Sequence, residues 1–266
     1  MSAEPQPQMI DVDTAGSRRA IATLVSPGSA PGLMWLPGFK SDMLSTKASA
    51  LAEWAAARGL ASTRFDYSGH GQSGGRFEDG TIGRWLEEAA AVFTRLTQGP
   101  QIVVGSSMGG YIALLLLKRL LRDAPADAAR IKGLMLIAPA WDMTQELMWN
   151  RFADDTKIEI EATGVWLRPS AYGEPYPITR GLIEDGRNNL IGSAPWNPGR
   201  PVHILHGKLD PDVPWQHTVA LESILEGDWT HTTWVEDGEH RLSRPEDIEL
   251  MFKAIGEMTG DAPPRA

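Results

Sequence analysis

Two kinds of apolar pattern alternate along this chain: short runs rich in β-branched residues, and longer stretches in which apolar positions recur every three or four residues. The short runs predict strands, the long ones amphipathic helices. An antiparallel opening pair is expected at 9–13 and 19–25, followed by strands at 33–36, 61–66, 101–104, 131–137, 202–206 and 229–235. Helices are expected at 47–58, 81–96, 107–121, 216–225 and 245–258. The clearest of them, 81–96, sets Ile82, Trp85, Leu86, Ala89, Val92, Phe93 and Leu96 on one face, which predicts a core position for Trp85. Gly59 suits the C-terminal cap of the helix before it. Strands alternating with helices in this way imply an α/β protein, a mostly parallel sheet covered on both faces.

The alternation breaks off between 141 and 199. That segment is crowded with prolines and with Trp141, Trp149, Trp166, Tyr172, Tyr176 and Trp196. It reads as an inserted lid, so that 1–140 and 200–266 form the core and 141–199 the insertion. Packing onto the sheet is the plain role for any single aromatic; together they suggest an apolar pocket. Arg151, Arg168, Arg180 and Arg187 lie in the same segment and are equally compatible with an anionic ligand and with surface charge. The end, 261–266, reads as a frayed tail.

The chain's 266 residues are enough for one domain with a large core. A formal charge of -9 without a basic run argues against a nucleic-acid partner. The longest apolar stretch, 112–117, is far too short to span a bilayer. The N-terminus has neither a secretory nor an Arg-rich transit pattern, which makes the cytoplasm the expected compartment. With no cysteine, a nucleophile must be oxygen or nitrogen.

Gly105-Ser106-Ser107-Met108-Gly109 fits G-x-S-x-G, and it sits between an apolar strand and an apolar helix. That context is what a nucleophile elbow requires: a serine pushed above the sheet at a tight turn, with glycines letting the neighbouring chains close in. Ser107 is therefore the candidate nucleophile, and a Gly/Ser-rich helix cap is the plainer alternative. Ser106 falls one residue early and should point inward. The backbone N–H of Met108, at a helix N-terminus, suits an oxyanion. The second donor is expected from the Pro37-Gly38-Phe39-Lys40 turn, at the N–H of Phe39.

A serine needs a base, and the base an orienting acid. His240 follows the last predicted strand, in a loop able to return over the sheet edge, and is the candidate base. His206 ends a strand and should pack or hydrogen-bond nearby. His203 lies inside that strand, His217 on a helix surface and His231 in a strand. Two aspartates, Asp210 and Asp212, follow the strand ending at His206. Asp210 is the candidate acid and Asp212 its rival, though Asp212 also suits a cap for the helix beginning near Pro214. Asp66 opens a Gly-rich loop that lacks either phosphate-binding pattern, so its expected task is to fix that loop. His70 in the same loop reads as a solvated turn residue, with a place at the border of the pocket as the alternative. The histidine spacing supports no metal.

These motifs resemble those of the α/β-hydrolase superfamily. Arg64-Phe65-Asp66-Tyr67-Ser68-Gly69, Gly105 to Gly110, Gly164-Val165-Trp166 with Pro169-Ser170 and Tyr172, and Val213-Pro214-Trp215 narrow the resemblance. They are similar to the subgroup of mitochondrial palmitoyl-protein thioesterases, also known as mycophenolic acid acyl-glucuronide esterases. The resemblance implies the α/β-hydrolase fold and ester or thioester hydrolysis without a cofactor. Its substrates would be small-molecule esters or acylated proteins. It carries over Ser107, Asp210 and His240 as a triad, with Phe39 and Met108 as oxyanion donors. His70 departs from the small apolar residue expected there. Carbon–carbon bond hydrolysis or acyl transfer on the same triad, and a non-catalytic binding protein on the same scaffold, are the competing readings.

Overall fold

The structure is a computed structural model and describes residues 6–14, 17–169 and 174–260. Ser170, Tyr172 and the 261–266 tail lie outside the described residues. The chain opens with β1 (Gln8–Thr14), β2 (Ser17–Ser26) and β3 (Ser29–Leu36), then α1 (Thr46–Ala57) and β4 (Leu60–Phe65). There follow α2 (Ile82–Leu96), β5 (Gln101–Ser106), α3 (Met108–Asp123), the single turn α4 (Pro125–Ala128) and β6 (Ile131–Ile137). After an excursion the chain rejoins the sheet through β9 (Val202–Gly207), α7 (Trp215–Ile224), β10 (Thr230–Val235) and α8 (Pro245–Thr259). The excursion holds α5 (Asp154–Thr163), the hairpin β7 (Val165–Arg168) and β8 (Tyr176–Thr179), and α6 (Arg180–Asn188).

Eight strands form one sheet in the order β1-β2-β4-β3-β5-β6-β9-β10. Only β1 and β2 run antiparallel to their neighbours; β4 through β10 are mutually parallel. The chain leaves β3 toward β4 and then crosses back to place β5 on the other side of β3. The loops after β3 and β5 thus diverge from adjacent strand ends, the crevice where open α/β sheets bind ligands.

Strand alternation splits the core in two. Leu33, Trp35, Ile102 and Val104 pack with Leu51, Met251 and Ile255 of α1 and α8. Met34, Leu36 and Val103 pack with Trp85, Val92, Leu114 and Leu117 of α2 and α3 on the other face. Trp85 is fully buried, as its place on the α2 stripe implied. The α2 helix begins where Thr81 accepts a hydrogen bond from the Arg84 N–H, a side-chain N-cap.

Two expectations need correction. β3 begins at Ser29, four positions before the expected 33, because Pro31 and Gly32 mask a strand whose register shifts between Ser29 and Leu33. The segment between β6 and β9 is also more regular than its composition suggested. Its helix α5 escaped notice because only Ile160 is buried on it, leaving no apolar stripe to read. No helix among the described residues is long and apolar enough to cross a membrane.

Candidate active site

Ser107 sits in the turn between β5 and α3 with φ 54° and ψ −117°, a conformation that costs a non-glycine residue about 1–3 kcal/mol. Close packing enforces it. A Cβ on Gly109 would stand 2.0 Å from the Leu36 carbonyl oxygen, and one on Gly105 would stand 2.3 Å from the Gly109 carbonyl oxygen. With glycine at both places the helix and strand ends meet, and the residue between them is turned out above the sheet. Ser106, the residue before it, is buried, as its position implied.

Strain gathers around this crevice. The five described non-glycine residues with positive φ are Lys40, Ser107, Ala138, Asp142 and Leu242. They follow β3, β5, β6 and β10, on the loops at one edge of the sheet. Such residues persist only where packing over-determines them, and they gather at functional sites.

His240, from the loop after β10, joins the loop after β5 to the loop after β9. Its Nε2 lies 3.1 Å from Ser107 Oγ and its Nδ1 2.7 Å from Asp210 Oδ2. Asp210 is buried, and its other oxygen accepts the N–H groups of Asp212 and Val213, each at 2.8 Å. One oxygen is therefore tied to the backbone and the other turned to the imidazole. Asp212 stays exposed, and the helix it was expected to cap has Pro214 at that position, so that reading fails. Asp210, Asp212 and His240 are the one group of three metal-capable side chains among the described residues, each offering an atom within 4.8 Å of the others.

The loop after β3 reaches the same place. A Cβ on Gly38 would lie 3.5 Å from Ser107 Cβ, so the turn before Phe39 rests against the serine. The Phe39 N–H meets no acceptor among the described residues. Met108 opens α3, where first-turn N–H groups lack intrahelical acceptors.

The neighbouring polar groups hold this geometry. His206 is fully buried; its Nε2 donates to the Val213 carbonyl at 2.9 Å and its Nδ1 accepts from Thr218 at 2.7 Å. Burial pushes this imidazole below its ordinary value. Lys47 on α1 hydrogen-bonds the Arg241 carbonyl and the Ser243 hydroxyl, anchoring the chain just after His240. Burial pushes its amine down to about 8. Neither Lys47 nor Thr218 carried any signal in the sequence, since each acts on residues far along the chain.

Four histidines remain. His203 bonds Thr233 on the adjacent strand, and His231 is exposed beside it. His217 is more than a helix-surface residue: it stacks on Trp141, its Nε2 bonds the Trp141 carbonyl at 2.7 Å, and Trp141 Nε1 donates to the His217 carbonyl at 2.9 Å. His70 also departs from expectation. It is 5% exposed, because Gly69 and Gly71 adopt positive φ and fold its ring inward against Tyr67, Phe77 and Trp85. Asp66 behaves as read, accepting the N–H groups of Gln72 and Met43, each at 2.7 Å. Among the arginines between β6 and β9, Arg180 bonds the Glu161 carbonyl and Arg187 bonds Gln145. Arg168 stands near Tyr176, and Arg151 near His217.

The chain is similar in family and fold to several known proteins. Residues 34–180 match the Hydrolase_4 family, described as serine aminopeptidase, S33. The mitochondrial palmitoyl-protein thioesterase ABHD10 of Bos taurus is 34% identical over 235 residues, 87% of this chain and 74% of that protein. Its Homo sapiens counterpart is 32% identical over 233 residues, with 87% and 74% covered. A solved structure from Agrobacterium vitis S4, described as a hydrolase, is 44% identical with a TM-score of 0.91, covering 96% of this chain and 98% of that one. The mouse α/β-hydrolase domain-containing protein 10 superposes with a TM-score of 0.82 at 29% identity, covering 94% and 98%. The chain belongs to the α/β-hydrolase family and is a serine hydrolase.

Proposed function

We propose that this protein cleaves carboxylic esters and thioesters through an acyl-enzyme on Ser107. The observation that carries the reading is the single imidazole of His240, held at 2.7 Å by Asp210 and lying 3.1 Å from Ser107 Oγ. Nδ1–H donates to the carboxylate, which leaves Nε2 unprotonated and able to take the serine proton. Oγ then attacks the acyl carbon, and the N–H groups of Phe39 and Met108 receive the negative charge that develops on the carbonyl oxygen. The protonated imidazole gives its proton to the departing alcohol or thiol. A water activated by the same nitrogen releases the acid and frees the serine.

The curated relatives at 32–34% identity are palmitoyl-protein thioesterases, which supports long acyl chains and acylated proteins as substrates alongside small esters. The segment 141–199 serves in this reading as the wall over the acyl group.

A fluorophosphonate label with mapping of the modified peptide, followed by a panel of p-nitrophenyl esters and acyl thioesters, tests the proposal. Label is expected on Ser107, and Ser107→Ala should lose at least about 10,000-fold in kcat. Label on another residue, or full turnover by Ser107→Ala, overturns it.

A further inference from the structure

The loop that carries the Phe39 N–H is held from two sides. Its core side is an aromatic group of half-buried Phe77 with buried Trp85 and His70: the Phe39 ring lies 5.1 Å from Phe77, 5.9 Å from Trp85 and 6.4 Å from His70, centroid to centroid. Its other side is Tyr176, the first residue of β8, whose ring lies 5.9 Å from that of Phe39. The next residue, Lys40, has φ 58° and sets its Nζ 4.2 Å from the centroid of the same Tyr176 ring. One aromatic residue of the 141–199 segment thus touches both side chains of the turn that faces Ser107. Lys40 makes no ion pair or hydrogen bond among the described residues, so its contact with Tyr176 is what holds the side chain.

The rest of the segment is tied to the core elsewhere. Lys118 donates to the Ile191 carbonyl at 2.9 Å, Tyr111 donates to the Asn189 carbonyl at 2.6 Å, and Asp185 accepts the Gly83 N–H at 2.7 Å, while Asp142 braces the segment internally by accepting the Ile191 and Gly192 N–H groups. Those bonds fix α6 and the chain after it. They do not reach the Phe39 turn, which the segment touches through Tyr176.

We infer that Tyr176 is a positioning residue for the reaction proposed above: it clamps Phe39 and Lys40, keeps the turn in its left-handed conformation, and so fixes the Phe39 N–H over Ser107. The inference rests on the assignment of Phe39 as an oxyanion donor. A left-handed non-glycine residue returns to ordinary backbone angles when nothing holds it. Across the turn the Ser41 N–H bonds the Gly38 carbonyl at 3.1 Å; with the ring removed that one bond is left to hold Lys40, and the turn shifts the preceding N–H away from the oxygen it should meet. A shift on the order of 1 Å is enough to cost catalysis heavily. Substrate selection and oxyanion binding then share one residue, since the hairpin that borders the substrate also sets the donor.

The test is a set of variants assayed on a short p-nitrophenyl ester that does not depend on acyl length. Tyr176→Ala is expected to lower kcat roughly 10- to 100-fold, with KM changing little. Affinity for an alkyl trifluoromethyl ketone, which forms a tetrahedral oxyanion on the serine, should fall by the same factor. Tyr176→Phe keeps the ring and should retain activity. Glycine adopts positive φ without strain. In a Lys40→Gly background, therefore, the penalty of Tyr176→Ala should shrink. A rise in KM with kcat and ketone affinity unchanged would make Tyr176 a substrate wall only and overturn the inference. So would an undiminished penalty in the Lys40→Gly background, or a Tyr176→Phe variant as impaired as Tyr176→Ala. Ser107→Ala runs alongside: turnover surviving there overturns the reading of the site itself, whereas a dead Ser107→Ala beside an unimpaired Tyr176→Ala overturns only the clamp.

Discussion

The loops after β4 and β9 both bury an aspartate at the edge of the same sheet, and each has a histidine close by in sequence, yet the two differ in what they leave free. In the first, Asp66 gives one oxygen to the Met43 N–H and the other to the Gln72 N–H. His70, four residues on, never meets it: its Nδ1 turns to the Ser68 carbonyl at 3.2 Å and its ring disappears among aromatics. In the second, Asp210 ties both nearby N–H groups to a single oxygen and keeps the other for His240, which arrives from thirty residues away. The near histidine, His206, stands 3.8 Å from that same oxygen but gives its hydrogen bonds to Val213 and Thr218, so only His240 bonds it. An aspartate and a histidine near each other in sequence are thus a poor guide to an acid–base pair. The residue that matters is the one facing the oxygen the backbone has not claimed.

The comparison breaks most visibly at the imidazoles. His240→Gln should lower ester turnover by roughly 10,000-fold or more, whereas His70→Leu should change kcat by less than about tenfold while lowering the Tm. Steady-state kinetics beside a melting curve settle this, and comparable kinetic losses in both variants would erase the distinction. The carboxylates give the next largest contrast. Asp210→Asn should cost roughly 1,000- to 10,000-fold in kcat because the imidazole loses the partner that fixes its tautomer. Asp66→Asn instead sets an amide NH2 against a backbone N–H and should remove about 1–3 kcal/mol of stability, with kcat nearly intact in the folded protein. Chemical denaturation and active-site titration separate the two losses.

The smallest effect concerns pH and the far side of the β9 region, where His217 locks against Trp141. Burial pushes this imidazole down to about 4 in the fold, against about 6.5 in the unfolded chain. As the pH falls below 6.5 the unfolded state takes up the proton first, so stability declines. The decline is complete near pH 4, below which both states are charged. His217→Gln should lose less stability than the parent between pH 7 and pH 5, by up to about 2 kcal/mol. Burial raises Asp66, Asp142 and Glu88, which act in the opposite sense, so the difference between the two proteins is the quantity to measure. Parallel loss in both would show that His217 does not set the acid limit.

How much of this was legible beforehand varies by element. The alternation of strands and helices, the elbow at Ser107 and the order Ser107, Asp210, His240 could be read directly. Each rests on a local rule: a period of 2 or 3.6, a turn that needs glycine, a loop that follows a strand. The polar α5 could not be read, because a helix with one buried residue presents no stripe, and β3 was shortened because proline and glycine look like a turn. Thr218, Lys47 and Tyr176 were invisible in their present roles for one reason. What each of them does is defined by atoms from twelve to nearly two hundred residues away.

The sequence by itself determined the fold class, the strained serine and the short set of residues able to serve as base and acid, since backbone sterics and hydrophobic periodicity act over a few residues. The tertiary structure decided which carboxylate oxygen meets which imidazole, that His70 is buried, and that a tyrosine from the 141–199 segment holds the turn beside Ser107. Those outcomes depend on how eight strands stack side by side and bring their loops to one edge, and no local pattern in the chain encodes the distances that result.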